Sequence, residues 1–236
     1  MNSIKSFGIT LTLACAALGA PASGSAQQVG YPPESSPFRD LEYRHELTLF
    51  GGSFAAGKDP AGVAPQGGPM AGLRYELRVG GPAHLMVRAS YVQSERDALD
   101  PSEPKATRDL GVHSAPLYLI DAGISLNVTG LKSWRRLVPT VNAGIGVVAG
   151  NQDVENDPYR FGTPFAITYG AGLRYVPGGR FAIRLGVDAY LYRLKYPTEY
   201  YATASDGTTV LDARQSTNFW KNNVALTIGA SYLFFR

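Results

Sequence analysis

Between residues 69 and 79 the chain alternates without a break: Ala71, Leu73, Tyr75, Leu77 and Val79 fall on one face of an extended strand, and Gly72, Arg74, Glu76 and Arg78 on the other. A helix would mix the two sets, so the pattern demands a strand with one apolar and one polar face. The tight Gly80-Gly81-Pro82 follows, and 83–93 repeats the pattern with Leu85, Val87, Ala89 and Tyr91 opposed to His84, Arg88 and Ser90, which makes a hairpin. Six further segments share the period: 44–54, 117–128, 137–149, 165–176, 180–192 and 223–235. The 236 residues are thus expected to form one all-β domain of eight strands, not two domains.

Connection lengths alternate as well. Short links join strands two to three, four to five (129–136) and six to seven (177–179), while long polar segments follow strands one, three, five and seven. Transmembrane barrels have this asymmetry, with short periplasmic turns and long extracellular loops. About 11 residues at ~3.3 Å each, tilted ~40°, rise roughly 27 Å, close to the ~25 Å apolar band of such barrels. The expectation is an eight-stranded antiparallel up-and-down transmembrane β-barrel, with a soluble periplasmic barrel as the structural rival.

The start of the chain fits export. Lys5, an apolar stretch from Phe7 to Leu18 and small residues up to Ala26 have the layout of a cleaved signal peptide over 1–26. The single cysteine, Cys15, lies within it, and Thr12-Leu13-Ala14 makes a poor lipobox. Residues 27–42, with Pro32, Pro33 and Pro37, read as a periplasmic extension without a core of its own, and 43–236 as the barrel. No later segment reaches the 18 uncharged apolar residues of a membrane helix, so any insertion is by strands. The net charge of +3 argues against nucleic acid as a partner.

Which face points inward follows from the polar set. It combines glycines (Gly72, Gly123, Gly144, Gly146, Gly170, Gly172, Gly186, Gly229) with charges of both signs: Glu46, Arg74, Glu76, Arg78, Arg88, Asp121, Arg174, Arg184 and Asp188. All six lysines (Lys5, Lys58, Lys105, Lys132, Lys195, Lys221) fall outside the expected strand cores, unlike a solvent-facing sheet. An eight-stranded barrel is only wide enough for side chains to fill, so small residues beside paired charges suit a narrow polar lumen. The charged set is therefore assigned to a salt-bridged interior and the apolar face to lipid. Tyr91, Tyr118 and Phe165 near the loop ends, and Tyr175, Phe181, Tyr232 and Phe234 near the turn ends, would form two interfacial girdles.

The signal peptide, the eight alternating strands and the closing stretch from Val224 to Arg236 resemble the small outer-membrane barrels of the OmpX/Ail and OmpA-transmembrane-domain type, over essentially the whole mature chain. The resemblance implies residence in the outer membrane among lipids and lipopolysaccharide, and a C-terminal signal for the barrel-assembly machinery carried by Tyr232, Phe234 or Phe235. The final Arg236 departs from that pattern.

Chemistry-bearing residues are sparse. His113-Ser114 lacks an acid at triad-like spacing, and His45 and His84 suggest nothing further, so no catalytic residue is assigned and the chain is expected not to be an enzyme. Asp153, Glu155 and Asp157 imitate the start of a calcium loop, but Pro158 stands where its glycine belongs and the distal glutamate is missing, so a solvated acidic loop is expected. No metal or cofactor is assigned. In the last long loop Tyr196, Tyr200 and Tyr201 are candidates for contacting a surface ligand, whereas Phe219 and Trp220 fit the membrane interface or the barrel mouth. The expected function is structural or adhesive. A narrow channel for small or hydrophobic solutes is the first alternative, and a lipid-A-modifying enzyme the second.

Overall fold

A computed structural model describes residues 36–150, 153–212 and 218–236 of the chain. The expected signal peptide and most of the N-terminal extension lie outside the described residues. In chain order the strands are β1 (Phe38–Asp40), β2 (His45–Ala55), β3 (Gly68–Gly80), β4 (Ala83–Val92), β5 (Glu95–Leu99), β6 (Asp109–Ser114), β7 (Leu117–Asn127), β8 (Lys132–Trp134), β9 (Leu137–Ala149), β10 (Phe165–Gly178), β11 (Phe181–Lys195) and β12 (Asn218–Phe234). β2, β3, β4, β7, β9, β10, β11 and β12 each pair antiparallel with the next, and β12 returns to β2 from Val224↔Ala55 to Phe234↔His45. The sheet therefore closes into an eight-stranded barrel with no free edge.

The four remaining strands are accessory. β1 pairs with β8 at the turn side, so residues 38–40 of the lead-in are tied to the link between β7 and β9. β5 and β6 form a separate hairpin within the long link from β4 to β7. The tight turns sit where glycine allows them: Gly81 (φ 49°) between β3 and β4, and Gly179 (φ 71°) between β10 and β11.

Alternation decides burial. Leu73, Leu85, Ile124, Ile145, Ile183 and Ile228 point outward and are 49–59% exposed, while their neighbours Arg74, Arg88, Asp121 and Arg184 point inward and are at most 5% exposed. Water would not tolerate a belt of that many exposed aliphatic side chains on a monomer, and hydrocarbon requires it. Closure also gives each ladder N–H and C=O a partner, the condition a lipid environment sets. The outward surface is that of a membrane barrel.

Two differences from the sequence reading concern the loop-side ends. β11 runs to Lys195 and β12 begins at Asn218, paired Lys195↔Asn218, so Lys195 and Lys221 are strand residues. Lys221 points inward and is 3% exposed, which corrects the exclusion of lysine from both faces. Hydrogen bonding between these strands simply continues beyond the apolar band, where the period in hydrophobicity stops.

The interior also changes character along its length. Its turn-side half is charged, but its loop-side half is mainly apolar: Phe54, Met70, Val92, Leu117, Leu119, Val148, Tyr190 and Tyr192 point inward and pack against Val63, Tyr159, Tyr196, Tyr200 and Leu211 from the long connections, with Lys221 and Asn223 the inward polar exceptions on β12. The sequence leads to a narrow polar lumen, and the structure corrects this for the loop-side half. At these positions the inward set faces loops, not a charge network, and becomes hydrophobic to bury them.

Candidate functional site

The charged half of the lumen is built by strands whose inward positions alternate with lipid-facing ones. Gly123 and Gly144 face each other across β7 and β9, and a Cβ on Gly144 would lie 2.5 Å from the Ala122 carbonyl oxygen, so only glycine fits there. Glu46 and Glu76 on the adjacent strands β2 and β3 form one focus. Arg74 donates to Glu76 from Nη2 at 2.6 Å and from Nε at 3.0 Å. Arg184, reaching from β11, bridges Glu76 and Glu46, the latter at 3.1 Å, and Arg174 from β10 closes on the other oxygen of Glu46. Asn127 accepts from Arg174 at 3.3 Å.

The second focus lies nearer the loops. Arg88 forks onto Asp121, Nε to Oδ2 at 3.0 Å and Nη2 to Oδ1 at 3.1 Å, and its Nη1 meets Asp188 Oδ2 at 2.6 Å. Asn142 donates to the other oxygen of Asp188 at 3.1 Å. The Arg88 guanidinium also lies 5.0 Å from the centre of the Tyr190 ring, where charged and apolar halves meet. Four arginines (Arg74, Arg88, Arg174, Arg184) thus face four carboxylates (Glu46, Glu76, Asp121, Asp188), and the formal charge cancels. Fully paired charges are what a desolvated site can hold, since an unpaired one would cost several kcal/mol, about 3–5. Between Phe50, Arg74, Arg88, Asn142, Arg184 and Asp188 only about 10 Å³ remains that a water-sized sphere can enter. That is room for about one water molecule.

Over the apolar half sits a cap of loop side chains. The Tyr159, Tyr196 and Tyr200 rings lie with centroids 5.9 to 6.5 Å apart, and Phe219 meets Tyr196 edge-on at 5.3 Å. Against them Arg96 of β5, its guanidinium 5.5 Å from the centre of the Tyr159 ring, and Asp157 form a wholly buried ion pair at 2.6 Å. Tyr200 donates its hydroxyl to Asp157 at 2.9 Å, and the backbone N–H of Tyr159 does so at 2.8 Å. Tyr196 donates to Asp59 at 2.9 Å, which also accepts from the Ala64 N–H at 2.8 Å. Burial, and then the facing carboxylates Asp59 and Asp157, push the Tyr196 and Tyr200 phenols up, so both remain protonated donors. The Lys221 ammonium reaches the Pro65 carbonyl at 3.2 Å and ties the first long loop to β12.

No family model and no curated protein matches this sequence. Solved structures do match. Neisserial surface protein A superposes with a TM-score of 0.50 at 10% identity, over 84% of this chain and 98% of that one. This chain has the fold of the small eight-stranded outer-membrane barrels. The N-terminal β-barrel domain of Pseudomonas aeruginosa OprF (TM-score 0.43, 14% identity, 82% of this chain and 98% of that one) and the Yersinia pestis attachment invasion locus protein Ail (0.41, 15%, 82% and 100%) align over similar spans. At these identities the likeness is one of fold.

Within this barrel the structure places the residues singled out from sequence as follows. Glu46, Arg74, Glu76, Arg88, Asp121, Arg174, Arg184 and Asp188 come together in the lumen. Arg78 does not join them: it is half-buried at the turn-side mouth and donates to the Leu41 carbonyl at 2.8 Å, because two residues beyond Glu76 the inward position has left the barrel. Tyr196 and Tyr200 are corrected from exposed contact residues to buried core, and Tyr201 is half-buried against the same core, because their rings cover the apolar barrel mouth. Trp220 is outward and 59% exposed, as the membrane interface requires, while Phe219 packs into the cap.

Tyr232 points outward, Phe234 is half-buried with its ring 6.1 Å from that of Tyr232, and Phe235 lies beyond the strand with φ 48°. The segment 153–157 is not simply solvated, since Asp157 is buried against Arg96 while Asp153 pairs with Arg160 at the surface at 2.8 Å. Among the described residues no three His, Cys, Asp or Glu side chains are grouped to hold a metal. The Arg96–Asp157 pair and the β5–β6 hairpin went unread in the sequence. The signal for the hairpin was a short alternation, with Arg96 and Ala98 on one face of 95–99.

Proposed function

We propose that this protein is an exported, non-enzymatic outer-membrane barrel that conducts no solute and acts through its extracellular cap, as a structural or surface-binding component of the envelope. One observation carries the reading: the lumen is filled twice over, by a charge-neutral network with about 10 Å³ to spare and above it by an apolar, tyrosine-lined core. A channel for small or hydrophobic solutes would have to break both. The histidines support the non-enzymatic part, because each is engaged structurally: His45 with the Tyr75 hydroxyl at 2.7 Å, and His84 and His113 with the backbone carbonyls of Pro82 and Leu110, each at 3.2 Å. The partners proposed are outer-membrane lipids with lipopolysaccharide, the barrel-assembly machinery at the C-terminal strand, and a surface ligand on the loops. Planar-bilayer recordings of the refolded protein should show no sustained unitary steps, and stable, large steps would overturn the reading. Deleting the β5–β6 hairpin should abolish surface binding while the barrel still assembles.

A further inference from the structure

Across all eight barrel strands only two Arg, Lys, Asp or Glu side chains point outward, and both are cations on one strand. The outward positions of β11 run Phe181, Ile183, Leu185, Val187, Ala189, Leu191, Arg193 and Lys195, so aliphatic residues give way to positive charge in a single step at the loop-side end. Opposite them on β12 stand Trp220, paired with Arg193, and Asn218, paired with Lys195. Pro164 and Phe165 complete the other wall of a surface groove of about 570 Å³. Phe165 and Trp220 are 52% and 59% exposed. Among the described residues neither Arg193 nor Lys195 is in an ion pair, unlike every arginine of the lumen network.

Two free cations at this height have a specific electrostatic environment. Below them is hydrocarbon, which repels charge; at their own level lie the headgroups, and tryptophan favours that same layer. Residues two apart on one face stand ~7 Å apart, close enough for a forked guanidinium and a point-charge ammonium to share one phosphorylated headgroup. An ordinary solvated face would alternate signs or pair its charges, and this flank does neither.

We infer that the groove between β10 and β12 holds the phosphate-bearing headgroup of a lipid in the loop-side leaflet. Arg193 and Lys195 bind the phosphate, and Phe165 and Trp220 pack against the part of the lipid just below it. The inference rests on the membrane-barrel reading but not on any role of the cap. It marks one flank of the barrel as the side that carries a bound lipid.

Trp220 supplies the test, because the chain has only two tryptophans and Trp134 lies at the opposite end. In a Trp134→Phe background, the full barrel in maltoside micelles is titrated with lipid A, with the same lipid stripped of its phosphates, and with inorganic phosphate, while Trp220 fluorescence is read. Lipid A should give a saturable change whose midpoint moves about tenfold or more to higher concentration in Arg193→Gln/Lys195→Gln, since each basic residue near a charged lipid surface is worth about 1 kcal/mol. Raising salt should weaken the wild-type response in the same direction, a readout independent of whether the variant folds. Equal binding by the double variant, or of the stripped lipid by the wild type, would overturn the proposal. Equally, inorganic phosphate that competes as well as lipid A would make this a free-anion site. Heat-modifiable gel migration of the wild type checks the membrane-barrel reading separately.

Discussion

The barrel lumen and the cap above it bury the same chemical unit, an arginine against a carboxylate, in different surroundings. On the turn side Arg184 is held between Glu46 and Glu76, and every group projects from a strand whose backbone is fixed by ladders on both edges. On the loop side Arg96 meets Asp157, joined from a two-stranded hairpin and an irregular segment, with the Tyr200 hydroxyl on the carboxylate and the Tyr159 ring against the guanidinium. Equal burial therefore implies unequal consequences. Strand-borne charges are expected to be lost only with the global fold, whereas the cap pair is expected to open while the barrel persists.

The largest effect should come from the lumen. Glu76→Leu removes the acceptor of Arg74 and one of the two carboxylates of Arg184, and should lower barrel stability by about 3–5 kcal/mol, read as a shift of the urea midpoint of the refolded protein. A change under about 1 kcal/mol would show that the network is slack or wet.

In the cap, Asp157→Leu removes the carboxylate that pairs with Arg96 at comparable cost, but the loss should appear as roughly hundredfold faster loop proteolysis with an unchanged heat-modifiable barrel. The double change Arg96→Met/Asp157→Leu should recover most of the protection. If the single variant unfolds the barrel as well, cap and barrel are one cooperative unit and the contrast disappears.

Smaller still is Tyr200→Phe, which deletes one hydroxyl donor to Asp157. A loss of about 1.5–3 kcal/mol, confined to exchange of the loop amides, is expected for a hydrogen bond to a charged group.

The smallest effect is one of pH. Asp206 is held at about 2, below its ordinary 3.8, by the Thr208 hydroxyl and the backbone N–H groups of Lys105 and Thr208. A carboxyl depressed in the folded state contributes stability that is complete above its unfolded value and fades as pH falls through the folded one. Contact between the last loop and the β5–β6 link should therefore loosen between about pH 4 and pH 2, visible as increased amide exchange at Lys105, and Asp206→Asn should remove that dependence.

How much of this was legible depended on periodicity. The eight barrel strands and their facing were written into alternation, because a wall between lipid and a narrow interior forces every second side chain to differ. The loop-side half of the interior was written there too, but as a breakdown of alternation: in Leu117-Tyr118-Leu119-Ile120 and Tyr190-Leu191-Tyr192 both faces turn apolar at once, which signals an inward core under a cap. Tyr196 and Tyr200 looked like ligand contacts because they lie in a polar stretch, and only the long-range meeting with Asp59 and Asp157 shows them to be buried. No local pattern announces a contact between residues that far apart in sequence.

The facing of the strands is most directly tested by single spin labels walked along β11 and β12 in bilayers, with collisions to lipid-dissolved oxygen measured at each position. Labels at Ile183, Leu185, Val187, Leu226 and Ile228 should be oxygen-accessible, and those at Gly186, Ala225 and Thr227 shielded. A profile of opposite phase, or one without a period of two, would contradict the assignment of the aliphatic face to lipid and the charged face to the lumen.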